Sequence, residues 1–341
     1  MEIILVSPLP PPIGGIASWT QAYLKYMNDN KINCHHINSA VVGDRAITGK
    51  TSYFQEVKRL LNIRKQLKHL VKQVDNPVIH YNASCFTKGL IRDYLVLHGI
   101  KAPILYQCHC NLDTNLNSKL AKYLFKKVSQ QVSAICVLNS NSLKTAKQYH
   151  DNVNYVPNFI EHIYSDHTVI NENIKNIIFV GRVENRKGIR ELLEASKAFP
   201  KITFNIVGPL ENKEYDFTKY ENVQFLGPQQ HDRVIEILKI MDVYVLPSYS
   251  EGFPLGVLEA MSCGLPIIAT NVGSIEDMIG HNGGKLIRVK SSDDIVNAIN
   301  EISDQKLREA MSSYNVNKVR NEYLINCIIK KFINLYESLE G

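Results

Sequence analysis

Two periods alternate along this chain. Runs of four to seven mostly apolar residues, bounded by glycine, proline and asparagine, read as buried strands. Between them apolar side chains recur every three or four positions, the spacing of a helix with one buried face. In the first half the strand runs are EIILVS, NPVIHYN, PILYQCH, SAICVLN and VNYVPN; in the second they are NIIFVG, ITFNIVG, VQFLG, VYVLPS, PIIAT and KLIRV. Strand and helix alternating twice over predicts two consecutive α/β domains, each with a mostly parallel sheet. The stretch EHIYSDHTVINENIKN is polar and weakly periodic, as a linker would be. Expected boundaries are 1 to 160, a linker over 161 to 176, a second domain over 177 to 315, and closing helices over 316 to 341.

A length of 341 residues supports two cores rather than one, and 45% hydrophobic with 21% charged residues is the composition of a soluble globular protein. The opening MEIILVSPLPPP has an acidic second residue and a short apolar run, which fits a first strand better than a secretion signal. No stretch approaches the roughly 18 consecutive apolar residues of a spanning helix, so a cytoplasmic chain is expected. The seven cysteines are scattered, and Cys108 and Cys110 flank His109 at a spacing unlike the C-x2-C of zinc sites. Buried free thiols are expected, and no metal.

Charge changes the picture more. The formal net charge of +6 divides into 19 Lys+Arg against 8 Asp+Glu, or +11, over residues 1 to 160, and 20 against 25, or −5, over the remainder. Within the first half, EVKRLLNIRKQLKHLVKQV (56 to 74) sets Val57, Leu60, Leu61, Leu67, Val71 and Val74 on one helical face, with Lys58, Arg59, Lys65, Lys68 and Lys72 elsewhere. A second basic segment is KLAKYLFKKV (119 to 128). Such helices dock on anionic membrane surfaces, or bury the apolar stripe in a core and leave the basic back in water; the pattern is the same for both. Aromatic residues are not interleaved with the cations as a nucleic-acid binder requires, so nucleic acid is not an expected partner.

Ligands of open α/β sheets bind at the carboxyl ends of the strands, and two such domains in tandem make an interdomain cleft the default site. After the first strand, Gly14 and Gly15 precede a helix; bare backbone N–H groups there suit a phosphate or a closely approaching sugar, though a tight turn uses the same residues. FVGRVENRKGIRELLEA (179 to 195) places Arg182 and Lys187 between a strand and a helix N-terminus. Cations there oppose the helix dipole unless an anion such as a pyrophosphate joins them, or unless they are solvated turn residues. PSYSEGFPLGVLEAMSCG (247 to 264) puts Glu251 in a loop, starts a helix at Pro254 and stops it at Gly264. Glu259 then lies on the helix, so the two glutamates read as two separate hydroxyl contacts rather than a general acid/base pair.

The Arg182/Lys187 loop, followed by SEGFPLGVLEAMSCGLPIIATNVGSIEDMI with Glu251 and Glu259 in E-x7-E spacing, resembles the retaining GT-B glycosyltransferases of family 4, the glycosyl transferases group 1. That resemblance implies two Rossmann-like domains facing across a deep cleft, the first binding acceptor and the second binding a nucleotide-sugar donor. By the same resemblance Arg182 and Lys187 neutralise the donor diphosphate, Glu259 holds the ribose, and Glu251 with the backbone of Gly252, Phe253, Pro254, Leu255 and Gly256 holds the sugar. Backbone groups around Gly208 and Pro209 are expected at the base. Gly14 and Gly15 approach the diphosphate, His109 lies near the donor sugar on the acceptor side, and Asn158 in VPNFI begins the interdomain segment. The last helix is expected to return to the first domain.

No D-x-D occurs in the chain, so no divalent ion and no other cofactor is expected. The cations and helix N-termini must then carry the leaving charge, and retention fits a front-face displacement. The donor expected is a UDP-sugar, with a GDP-sugar next. The acceptor expected is a polyprenyl-diphosphate-linked oligosaccharide at the inner face of the cytoplasmic membrane, for a bacterial O-antigen or capsule. Two alternatives are a sugar-nucleotide epimerase of the same architecture and a non-catalytic carbohydrate-binding descendant. The latter is expected to have lost His109, Lys187 or Glu251, and all three are present.

Overall fold

Each of the eleven apolar runs forms a strand, and one further strand joins them. In a computed structural model that describes residues 1–11, 14–40, 53–164, 170–211 and 214–340, the first sheet holds β1 (Glu2–Ser7), β2 (Cys34–Asn38), β3 (Pro77–Ala83), β4 (Ile104–Cys108), β5 (Ala134–Val137) and β6 (Val153–Tyr155). Their order is β2-β1-β3-β4-β5-β6, parallel throughout. The strand missing from the sequence reading is β2, CHHIN. It is an edge strand with one buried residue, Ile37, and so carries no apolar run. The second sheet holds β7 (Asn176–Val180), β8 (Thr203–Val207), β9 (Val223–Gly227), β10 (Val243–Leu246), β11 (Ile267–Thr270) and β12 (Gly284–Ile287), in the parallel order β12-β11-β10-β7-β8-β9.

Central strands read as unbroken apolar runs because both faces are covered. In β1, Ile4 and Val6 enter one core while Ile3 and Leu5 enter another, as the two-residue period of a strand dictates. Helices Tyr53–Gln73, Thr87–Leu97 and Lys119–Ser129 close the first face with Ile63, Leu67, Leu90 and Phe125. Helix Gly15–Asp29 closes the second with Trp19 and Tyr23, together with the last helix, Ile325–Leu339, through Phe332 and Tyr336. At that junction His80 bonds the Tyr336 hydroxyl at 2.5 Å and Gln107 Oε1 at 2.8 Å, and the Tyr23 and Tyr336 hydroxyls meet at 2.7 Å.

The chain divides into Met1–Phe159 with Ile325–Gly341, and Ile160–Leu324. The described part of the stretch expected as a linker is folded into the second unit. Arg308, buried, donates to the carbonyls of Asn171 and Glu172 at 2.6 and 2.9 Å, and Asn171 donates to Asp242 at 2.6 Å; residues 165–169 of that stretch lie outside the described residues. Helix Gln305–Glu322 likewise belongs to the second unit, with Met311 and Val319 in its core. Of the closing helices only the last joins the first unit. Where the chain enters and leaves the second unit, Ile160 N–H donates to Tyr323 O at 3.0 Å.

The basic helix Tyr53–Gln73 differs from its expected amphipathicity. Leu60, Ile63, Leu67 and Leu70 face the core, while Val57 and Leu61 are exposed. At 3.6 residues per turn those two lie about 100° round the helix from the core stripe. Of the cysteines, Cys85, Cys108, Cys110, Cys136 and Cys263 are buried and Cys34 and Cys327 partly so, and none is joined in a disulfide.

Candidate active site

In the second sheet the chain runs outward from β7 through β8 and β9, then returns to the other side of β7 with β10. Loops leaving the carboxyl ends of β7 and β10 therefore diverge at a point where strand order reverses, where open sheets take their ligands. After β7 come Gly181 and Arg182, a single 3-10 turn Asn185–Lys187, and Gly188, which caps helix Ile189–Ser196. Gly188 has φ +70°, and a Cβ there would lie 2.1 Å from the Pro247 carbonyl oxygen. A glycine is thus what lets the β7 loop touch the β10 loop. Tyr249 N–H donates to Arg186 O at 2.8 Å, and the Arg186 guanidinium to Ser250 O at 3.3 Å.

This contact brings Lys187 to Glu251. The ammonium Nζ donates to Oε1 at 2.5 Å, with 14% of the lysine and 9% of the glutamate side chain exposed. Immediately beyond, helix Leu255–Ser262 begins at Pro254 with no side chain capping it, so its first N–H groups have no intrahelical acceptor and meet any anion placed there. Gly256 lets that first turn press on the sheet, since a Cβ would stand 2.7 Å from the Tyr244 hydroxyl.

Glu259, one turn further, is engaged separately. Its Oε1 lies 3.0 Å from His231 Nε2, and the carboxylate raises the imidazole pKa above its ordinary value. His231 was not among the residues the sequence singled out; its signal is a histidine opening helix His231–Leu238 just past the end of β9. The two glutamates of the E-x7-E spacing are thus held apart, each with its own basic partner. Arg182 and Lys187 share a loop but not a counterion, for Arg182 is largely exposed and approaches Glu184 at 3.9 Å. Gly208 and Pro209 follow β8, and Val183 N–H donates to Pro209 O at 2.8 Å, lacing that loop to the one after β7. Glu184, which also pairs with Arg186 at 2.8 Å, is a second residue the motif reading passed over.

In the first unit Gly14 precedes helix Gly15–Asp29, and a Cβ on either Gly14 or Gly15 would meet nothing within 4 Å. Pro12 and Ile13 of the same loop, and residues 41–52, lie outside the described residues. His109 follows β4, where its N–H donates to Ala83 O at 2.9 Å and its ring meets Trp19 edge-on at 5.4 Å. Burial, with His80 beside it, pushes the imidazole down to about 3, so it is neutral at pH 7. Its Nε2 is buried without a hydrogen-bond partner. Asn158 Oδ1 is in the same condition. Among the described residues no three His, Cys, Asp or Glu side chains gather as a metal site, and no helix is long and apolar enough to cross a membrane.

Residues 162–318 match the family model of the glycosyl transferases group 1. Among curated proteins the chain is 26% identical, over 65% of its length and 59% of the relative's, to the N,N'-diacetylbacillosaminyl-diphospho-undecaprenol alpha-1,3-N-acetylgalactosaminyltransferase of Campylobacter jejuni. It is 33% identical, over 46% of its length and 44% of the relative's, to the UDP-Gal:alpha-D-GlcNAc-diphosphoundecaprenol alpha-1,3-galactosyltransferase of Escherichia coli. The chain thus spans less than two thirds of either relative. Sucrose-phosphate synthase from Thermosynechococcus elongatus shares the fold, with a TM-score of 0.77 at 17% identity over 99% of this chain and 98% of that one.

Proposed function

We propose that this chain, which belongs to the glycosyl transferases group 1 and has their GT-B fold, moves a hexose or N-acetylhexosamine from a nucleotide-diphosphate sugar to a polyprenyl-diphosphate-linked glycan in the synthesis of a bacterial surface polysaccharide, such as O-antigen or capsule. The observation that carries this reading is the Lys187–Glu251 pair at the strand-order reversal, beside the uncapped N-terminus of helix Leu255–Ser262. A lysine and a row of helix N–H groups form a seat for a diphosphate, and the glutamate is an acceptor for sugar hydroxyls. The acceptor class is drawn from relatives whose names specify diphospho-undecaprenol acceptors, and UDP is favoured because one is named for UDP-Gal.

In this mechanism Lys187 leaves Glu251 for the donor phosphates, and Arg182, already in water, swings onto the same charge. Both stabilise the departing nucleotide diphosphate electrostatically, the role otherwise given to a metal. No D-x-D is present to hold one, so the reaction runs without metal or cofactor. Released from Lys187, Glu251 accepts hydroxyls of the sugar, aided by the backbone from Gly252 to Gly256. Glu259 takes the ribose, and the backbone at Gly208 and Pro209 takes the base. The buried, unpartnered Nε2 of His109 lacks the partner that a sugar hydroxyl would supply, and Gly14 and Gly15 leave room for a ligand to approach backbone. Without a carboxylate nucleophile assigned to the reacting face, the departing phosphate accepts the acceptor's proton and the anomeric configuration is retained. The work takes place at the cytoplasmic face of the membrane that holds the acceptor.

Thermal unfolding of the purified protein with UDP, GDP, ADP and dTDP in EDTA tests this. A diphosphate at 100 times its Kd contributes about 2.7 kcal/mol. Selective stabilisation by UDP, kept in EDTA and absent in Lys187→Ala, is the expected result, followed by release of UDP from a UDP-sugar when a diphosphate-linked acceptor is supplied. No response to any nucleotide overturns the assignment, and free 2-epimer as the product replaces it with an epimerase.

A further inference from the structure

Among the described residues thirteen large apolar side chains are exposed, and eight of them belong to three neighbouring helices of the first unit and the residue that caps one of them. Helices Tyr53–Gln73, Thr87–Leu97 and Lys119–Ser129 bury their inner sides in one core on the same sheet face. The Arg64 guanidinium fastens the first to the second by donating to the carbonyls of Leu95 and Val96 at 2.5 and 3.0 Å. Their outer stripes consequently point away from the sheet together. On the first helix that stripe carries Phe54, 84% exposed, with Val57 and Leu61. On the second it carries Ile91 and Leu95, with Phe86 at the cap; on the third, Leu120 and Tyr123.

Cations share these stripes. At 100° per residue, Lys58, Lys65, Lys68 and Lys72 lie on the same side of the first helix as Phe54 and Leu61. On the third, Lys119, Lys126 and Lys127 flank Leu120 and Tyr123, and Lys127 Nζ stands 5.7 Å from the Tyr123 ring centre. Opposing charge is withdrawn: Glu56 pairs with Arg59 at 2.7 Å, and Asp93 is fully buried, held by Arg92 and by the hydroxyls of Tyr81 and Tyr106.

We propose that this three-helix face is a membrane-insertion surface, on which Phe54, Leu61, Phe86, Ile91, Leu95 and Leu120 enter the acyl boundary of an anionic bilayer while the lysines bind its headgroups. Protein interfaces are depleted in lysine and enriched in arginine, whereas apolar and aromatic side chains mixed with lysine on a helix surface are the composition of an interfacial helix. Eight exposed large apolar side chains on three neighbouring helices mark an interaction surface, and the positive charge around them selects a negatively charged cover. The inference rests for its purpose on the lipid-linked acceptor proposed above, and its geometry stands without it.

Flotation of the full chain with vesicles of phosphatidylcholine alone, and with 30% phosphatidylglycerol, tests it, about a third being enough to give a strongly negative surface. Expected is binding to the anionic vesicles only, part of which survives 0.5 M salt because it is apolar. Phe86→Ser/Ile91→Ser/Leu95→Ser changes side chains that are 62, 44 and 45% exposed and lie outside the candidate active site; it is expected to lower vesicle binding at least tenfold, with a cooperative unfolding transition and the UDP response retained. Lys119→Gln/Lys126→Gln/Lys127→Gln is expected to weaken binding at low salt. Absence of vesicle binding overturns the proposal, as does binding that the triple serine variant retains in full. A self-association of the chain that the serine variant abolishes reassigns the face to a protein partner. Vesicle binding in a protein that answers to no nucleotide supports the surface and removes the transferase reading alone.

Discussion

His231 and Glu259 form the pair whose chemistry is easiest to read by titration. The carboxylate raises the imidazole pKa above 6.5, so the folded protein holds the proton more tightly than the unfolded chain does. The resulting stability is complete below pH 6.5 and is lost as pH rises through the raised value. The unfolding midpoint of the parent protein is therefore expected to exceed that of His231→Gln by the largest margin near pH 6, the margin vanishing by pH 9; scans of both proteins across that range check it. A margin independent of pH would mean that the imidazole acts as a neutral hydrogen-bond partner. The E-x7-E spacing was legible because both glutamates sit in a motif. Their basic partners were legible unequally. Lys187 is part of the recognised loop, whereas His231 reaches Glu259 from 28 positions earlier, and no local spacing encodes a contact of that range. His109 was placed at its strand end by sequence, but its buried, unpartnered Nε2 depends on the Trp19 and His80 side chains that crowd it.

Among elements, the loop between β7 and helix Ile189–Ser196 is the one on which the site depends. Gly188→Ala combines an unfavourable positive φ with a Cβ 2.1 Å from a backbone oxygen, and neither can relax without parting the loop from Pro247. A loss of more than about 2 kcal/mol in the second unit is expected, with the UDP response abolished and vesicle binding intact. Chemical denaturation followed with and without UDP checks it; an unchanged stability would show that the two loops are not in contact. Strand elements were legible wherever both faces are buried, since burial on both faces writes an apolar run. The edge strand β2, with Ile37 alone buried, wrote none. Helix Tyr53–Gln73 was legible as a helix but not in its facing, because it carries apolar residues on two stripes, Leu60, Ile63 and Leu67 on one and Phe54, Val57 and Leu61 on the other. Periodicity detects a helix, but only packing says which stripe is covered.

For the whole molecule, the two-unit organisation was legible from the repeated alternation of strand and helix, but the path of the chain through it was not. The two closing helices differ, Gln305–Glu322 being mostly polar and Ile325–Leu339 rich in isoleucine along one face, but neither pattern says that the former packs in the second unit and the latter in the first. The charge division survives the transfer, since the segment from Ile325 onward adds Lys330 and Lys331 against Glu337 and Glu340, and the basic character stays with the unit that bears the exposed helices. A chain ending at Leu324 uncovers Trp19, Tyr23 and His80. It is expected to lose the cooperative unfolding transition of the first unit while the second keeps its response to UDP; calorimetry resolves the two, and a first unit that melts unaltered would mean the last helix is dispensable. The same arrangement orders events during synthesis. Residues 1–159 leave the ribosome without the helix that completes them, and Ile160–Leu324 must be translated before it appears. At about 5–20 residues per second that interval is roughly ten seconds or more. In each new molecule the later unit is therefore the first to be complete, and the earlier one waits with an aromatic groove open to chaperones.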